Sequence, residues 1–115
     1  MRFVLLIHSR EDGNGSMTEE EIAEMYRGHE AFGQELGALG KIMGGEELQG
    51  ANQGKLVRHD GGDVLTSDGP YIETKEQLGG FYIIEADDID EAARWAAKIP
   101  ATASTTIEVR PVVQH

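Results

Sequence analysis

Two uninterrupted apolar runs limit what this chain can fold into more than any other feature. They are FVLLI at residues 3–7 and FYII at residues 81–84. Neither run alternates apolar with polar side chains, and such runs are typical of strands that are buried on both faces. Each is therefore predicted to lie in the interior of a β-sheet whose two faces are both covered.

Two segments have the periodicity of helices. Thr18 followed by Glu21 is a capping-box sequence, and the apolar stripe behind it recurs every three or four residues, which predicts a helix to about residue 39. The stripe consists of Ile22, Met25, His29, Phe32, Leu36 and Leu39. Asp88 with Glu91 starts a second predicted helix, and Pro100 stops it.

The remaining segments predict strands. They cover residues 42–48, 55–58, 63–66 and 107–110. The second and third flank a turn sequence at residues 59–62, as in a hairpin, and Pro111 either ends the last strand or places it at a sheet edge. This order predicts an α+β ferredoxin-like sandwich: an antiparallel sheet with two helices on one face and an inserted hairpin. A chain of 115 residues is expected to form one domain, residues 1–115.

The charge balance and the cysteine count exclude several functions. The chain has 10 basic and 21 acidic residues and a net charge of −11, whereas Lys and Arg dominate the binding of nucleic acids and anionic membranes. The absence of cysteine excludes disulfides and thiolate chemistry. The apolar run at residues 3–7 is far shorter than the ~20 residues of a membrane span. We expect a soluble, cytoplasmic protein with neither nucleic acid nor membrane as a partner.

Histidine offers the first candidate for chemistry. His8, His29, His59 and His115 lack the spacing of metal ligands, and no phosphate-binding glycine motif is present, so we expect neither a metal site nor a cofactor. His29 is either a core histidine satisfied by backbone or water, or an imidazole between helix and sheet whose pKa of ~6.5 suits proton transfer. His59, in the predicted turn, and His115, at the terminus, are expected to be solvated and inert.

Residues 67–82 are dense in polar groups. Asp68-Gly69-Pro70 is turn sequence, so Asp68 either bonds only the backbone of the turn or supplies a carboxylate to an imidazole or a ligand. The polar residues behind it form either a solvated charge cluster or part of a ligand site. The candidate ligand-binding residues are Phe32, Tyr71, Glu73, Thr74, Lys75 and Tyr82.

These motifs carry a family resemblance that spans nearly the whole chain. DGPY at residues 68–71, ETKEQLGGFY at 73–82 and IEVRPV at 107–112 closely resemble the DGPF-domain branch of the YCII-related family. The resemblance implies a ferredoxin-like fold that pairs into a dimeric α+β barrel. In the wider family a His on the first helix and an Asp near the end of the second form an acid/base pair. Carried over, the His is His29, but the Asp position holds Ile99, which leaves Asp68 as the candidate replacement.

The sequence supports two functions of different classes. The first is a small acid/base enzyme acting on a small cyclic or carbonyl substrate, with His29 as base and Asp68 as its partner; the resemblance adds that one branch of the family dehydrochlorinates aromatic rings. The second is a non-catalytic ligand-binding or regulatory module, which the resemblance links to extracytoplasmic-function sigma factors.

The two buried-type strands also predict a homodimer. Two helices cover only one sheet face, and a second subunit is the simplest cover for the other. Such an interface should bury roughly 2,000 Å² or more. Sedimentation velocity should therefore give the mass of a dimer, and a stable monomer at micromolar concentration would contradict the prediction.

Overall fold

A computed structural model of the chain describes residues 1–10, 17–69 and 76–115. Within these residues there are six strands and two α-helices. In chain order they are β1 (Arg2–Arg10), α1 (Glu19–Ala38), β2 (Ile42–Glu47), β3 (Lys55–Asp60), β4 (Asp63–Asp68), β5 (Glu76–Glu85), α2 (Ile89–Ala96) and β6 (Thr105–Pro111). A short 3-10 helix, Ala51–Gln53, lies between β2 and β3.

The strands form the predicted antiparallel sheet. Its spatial order is β2-β5-β1-β6, so the strands with the two apolar runs are the two interior ones. Among the described strands, β3 and β4 pair only with each other and form the inserted hairpin. The predicted α+β ferredoxin-like fold is confirmed, and Pro111 is the last residue of an edge strand, as its missing N–H requires.

Both helices pack on one face of the sheet. The core joins Phe3 and Leu5 of β1 to Phe32 and Leu36 of α1, and to Ala92 of α2. The capping box at the start of α1 is present, with the Thr18 hydroxyl accepting from the N–H of Glu21. Neither of the described helices is both long enough and apolar enough to cross a membrane.

The opposite sheet face is apolar but only partly covered. Side chains alternate along a strand, so Val4 and Leu6 lie on this face with Ile83 of β5, and all three are half-buried. Within this chain, β1 is therefore fully buried on the helix side alone. The homodimer that would cover the other side stays a prediction.

Several predicted boundaries were wrong. His8 does not end β1, because that strand continues through Arg10 by pairing with β5 and β6. The hairpin turn is narrower than predicted: Gly61 and Gly62, both at positive φ, form it alone, and His59 pairs with Val64 inside the hairpin. Two-residue turns of this kind need positive φ at both positions, which glycine adopts without strain.

The predicted apolar stripe of α1 is buried only in its second half. Phe32 and Leu36 are buried, whereas Ile22 and Leu39 are exposed. The first half of the helix does not sit tightly on the sheet at His29, which is half-buried. The space left beneath it becomes the candidate site.

Gly28 and Gly33 both lie inside α1, but only Gly33 has room for a side chain. A Cβ at Gly28 would lie 2.6 Å from Cγ of Pro100, whereas a Cβ at Gly33 would meet nothing within 4 Å. Both Gly→Ala changes gain about 1 kcal/mol of helix propensity, but Gly28→Ala must also displace the rigid proline ring, which costs roughly 1–3 kcal/mol. In urea unfolding followed by circular dichroism, we expect Gly33→Ala to raise the free energy of unfolding above that of the wild type. The free energy of unfolding of Gly28→Ala should be lower than that of Gly33→Ala by about the cost of displacing Pro100. Equal stabilisation by both would contradict the packing of α1 on Pro100.

Candidate functional site

A cavity of about 310 Å³ lies between the first half of α1 and the helix-covered face of the sheet. The residues that line it are Ile7, Ser9, Met25, Tyr26, His29, Gly45, Glu46, Glu47, Gly79, Gly80, Phe81, Tyr82, Pro100 and Thr105. The register of β1 against β5 shifts here: Ile7 pairs with Gly80 and His8 with Leu78, which leaves Gly79 as a bulge. Bulges bend a strand and redirect its side chains, and they are frequent beside functional sites.

The imidazole of His29 is hydrogen-bonded to a phenol. Its Nδ1 lies 2.7 Å from the hydroxyl oxygen of Tyr82, and the two rings are stacked at 5.9 Å between centroids. Within the described residues, Nε2 of His29 has no hydrogen-bond partner. Because His29 lines the cavity, Nε2 is the nitrogen available to a bound molecule.

The ring of Tyr82 is held from two sides. Phe32 packs against it from α1, at 4.8 Å between ring centroids. On the β2 side, a Cβ at Gly45 would lie 2.9 Å from Cδ1 of Tyr82 and 2.7 Å from the carbonyl oxygen of Phe81. Gly45 is therefore required for this close approach of β2 to the ring.

A second hydrogen-bonded pair lies at the end of β2. The Tyr26 hydroxyl lies 3.0 and 2.9 Å from the two carboxylate oxygens of Glu47 and donates to them. Tyr26 is three residues before His29, so both side chains lie on the same face of α1. Glu47 pairs with Gly80 in the sheet, which brings its carboxylate to the wall of the cavity.

The surroundings set the proton states of these groups. Burial lowers the pKa of His29 below its ordinary value, while the negative charge of Glu47 opposes that shift. Burial, with the charge of Glu47, raises the pKa of Tyr82. The hydrogen bond to Glu47 raises the pKa of Tyr26. At neutral pH the site therefore holds a neutral imidazole between groups that keep their hydroxyl protons.

Comparisons with known proteins identify the family of this chain. The family model described as the YCII-related domain matches residues 1–115. The chain belongs to the YCII-related family. An uncharacterized protein of Rhizobium meliloti (strain 1021) is 32% identical over 119 residues, an alignment that covers 100% of this chain and 94% of that protein.

A solved structure is also similar. It is the 5-chloro-2-hydroxyhydroquinone dehydrochlorinase TftG from Burkholderia phenoliruptrix AC1100 in complex with 2,5-dihydroxybenzoquinone. It is 23% identical, with a TM-score of 0.49, and the alignment covers 94% of this chain and 91% of that chain. A similarity of this degree carries no argument about the site of the YCII-related chain.

The structure does not bring Asp68 to His29. Asp68 is the last residue of β4, within a strand rather than in the predicted turn, and its side chain is 80% exposed. Its carboxylate accepts a hydrogen bond of 2.8 Å from the ammonium of Lys55 across the hairpin, and it does not line the cavity. A catalytic role for Asp68 stays a prediction, and among the described residues no contact of Asp68 supports it.

The other predicted site residues divide into three groups. Tyr82 lines the cavity, whereas Phe32 lies behind it as a buried core residue. The remaining ligand-binding predictions, Tyr71, Glu73, Thr74 and Lys75, fall outside the described residues. Ile99, which stands where the YCII resemblance would put an Asp, is 4% exposed and belongs to the apolar core.

Sequence reasoning missed Tyr26 and Glu47. Tyr26 lies one position beside the apolar stripe and one turn before His29, which is the only signal that it shares the histidine's surroundings. Glu47 follows the glycines of a weak strand and carries no motif. Among the described residues of this YCII-related chain, no group of three His, Asp or Glu side chains could hold a metal ion.

The electrostatics of the site predict different effects on the pKa of His29 for two substitutions that each remove one negative charge. Glu47→Gln should lower the pKa of His29, because the Glu47 carboxylate favours the charged imidazole. Asp68→Asn should leave that pKa unchanged, because Asp68 is paired with Lys55 on the exposed hairpin. An NMR titration of the His29 ring, assigned by the loss of its signal in His29→Asn, measures both. A lowered pKa in Asp68→Asn alone would show that Asp68 is the partner after all.

Proposed function

We propose that the cavity is the active site of a small acid/base enzyme acting on a small cyclic or carbonyl substrate, with His29 as base. One observation carries the proposal: the His29 imidazole lines the cavity with Nδ1 held by Tyr82 at 2.7 Å, and within the described residues Nε2 has no hydrogen-bond partner. A general base needs both a proton-free nitrogen at neutral pH and a fixed direction of approach. A cavity of about 310 Å³ is at the small end of the range for ligand sites.

The hydrogen bond between His29 and Tyr82 serves both directions of proton transfer. When Nδ1–H donates to the Tyr82 oxygen, Nε2 carries a lone pair and accepts a proton from the substrate. The imidazolium that results keeps its Nδ1–H on the Tyr82 oxygen and returns the proton from Nε2–H. Neutral imidazole can hold its hydrogen on either nitrogen, and the partner of one nitrogen decides the state of the other. Tyr82 is thus the positioning residue in this mechanism.

Glu47 takes the part that the sequence assigned to Asp68. Its charge favours the imidazolium that forms when His29 accepts a proton, as the direction of its effect on the pKa of His29 indicates. Stabilising this charged intermediate state is the usual role of a carboxylate near a catalytic histidine. Glu47 does so across the cavity, since its own hydrogen-bond partner is Tyr26.

A second function is favoured by one observation. Within the described residues, His29 is hydrogen-bonded to a phenol and to no carboxylate, so the same cavity suits a non-catalytic ligand-binding or regulatory module. We also propose membership of the DGPF branch, a link to extracytoplasmic-function sigma factors and a cytoplasmic location, all of which rest on the sequence resemblance. The homodimer is proposed as well, and the partly covered sheet face supports it.

His29→Asn separates the two functions, with His59→Asn as the matched control. His59 lies on the exposed hairpin, so its replacement should change neither rate nor affinity. Loss of the base should lower kcat by roughly 10²–10⁴-fold with substrate affinity nearly unchanged. The measurement is turnover and binding of small cyclic and carbonyl compounds. Binding by the wild-type protein without any turnover, or turnover that survives in His29→Asn, would reject the enzyme in favour of the second function or another base.

A further inference from the structure

The charge of the cavity restricts what it can hold. Of its charged lining residues, Glu46 and Glu47, Glu47 lies on the helix-covered face with Tyr82, and among the described residues no lysine or arginine lines it. The whole chain carries a net charge of −11, which adds to the negative potential there. A carboxylate or phosphate ligand would enter this cavity against like charge and would find no cationic partner on the described walls.

The Glu47 carboxylate has capacity left for a ligand. Its two oxygens offer about four acceptor positions, while Tyr26 contributes a single hydroxyl hydrogen to them. That contact holds the carboxylate in one orientation without saturating it. A ligand N–H group approaching from the cavity can therefore be bound by a carboxylate that is already positioned.

Aromatic rings line the same cavity. The rings of Tyr26 and Tyr82 contribute to its walls, together with the apolar side chains of Ile7 and Met25. The faces of aromatic rings attract cations, and a carboxylate beside such rings is the usual composition of a site for an ammonium group. The remaining apolar wall suits an uncharged ring or chain.

We infer that the ligand of this cavity is a small organic cation, with its ammonium group at Glu47 and its uncharged part extending towards His29. The inference rests on the proposed function in that it uses the same cavity, and it adds the charge class of the substrate. In this orientation Nε2 of His29 meets the uncharged part of the molecule, where a proton would be removed. The ammonium group would remain on Glu47, outside the proton transfer.

Three probes of similar shape and different charge test the inference: benzylammonium, benzyl alcohol and benzoate. Binding is followed by NMR, with the His29 and Tyr82 ring signals reporting occupancy of the cavity. The wild-type protein should bind benzylammonium roughly fivefold more tightly than benzyl alcohol, the upper range for a solvent-accessible ion pair. It should bind benzoate most weakly, and added salt should reduce the difference.

Glu47→Gln and Glu30→Gln form a matched pair, because each removes one negative charge from the protein. Glu30 is exposed on α1 and does not line the cavity. Glu47→Gln should abolish the preference for benzylammonium without weakening benzyl alcohol, and Glu30→Gln should retain the preference.

The outcomes distinguish a ligand of a different charge from the absence of a ligand site. Equal or tighter binding of benzyl alcohol or benzoate, or a preference that survives Glu47→Gln, overturns the cationic ligand and leaves the proposed acid/base function standing. If none of the probes shifts the His29 and Tyr82 signals at millimolar concentration, the cavity is not a ligand site, and the inference fails together with the proposed function.

Discussion

The register of β5 against its two neighbours decides where the sheet residues of the site place their side chains. Tyr82 pairs with Leu5 on one side and with Gly45 on the other, which turns its ring towards α1. Because side chains alternate along a strand, a slip of one residue would carry Tyr82 to the opposite face and break its hydrogen bond with His29. The bulge at Gly79 lies beside this pairing and lines the cavity, so the sheet is irregular next to the space that a ligand would occupy.

The fold could be predicted from the sequence because its signals are local and repetitive. The apolar runs, the capping box before α1 and the period of the helix fix the order of elements without any knowledge of long-range contacts. The ends of the strands were harder to predict, since the extension of β1 past His8 depends on pairing with residues almost a hundred positions away. His29 could be singled out because it interrupts an apolar stripe. Glu47 could not, because only the pairing of β2 with β5 brings it near the histidine.

Asp68 illustrates the opposite case, in which a residue of a recognisable motif is hydrogen-bonded on the hairpin rather than to the imidazole. A carboxylate within a recognisable sequence attracts a functional interpretation, yet its side chain is largely in water beside Lys55. Exposed ion pairs of this kind contribute little to stability, typically ~0–1 kcal/mol. The carboxylate that does influence the imidazole carries no motif, which means that charge at this site is organised by the sheet rather than by a contiguous stretch of sequence.

The two ends of the β3–β4 hairpin lie close together. The N–H of Gly69 donates to the carbonyl of Gly54 at 2.9 Å, so the two ends of the inserted segment meet at one point. An insertion with adjacent ends can be lengthened, shortened or replaced without moving the elements that flank it. Val57 and Leu65, on its two opposite faces, are each more than half exposed. Exchanging this hairpin for another two-stranded insertion should therefore change the surface of the protein while the cavity under α1 stays as it is.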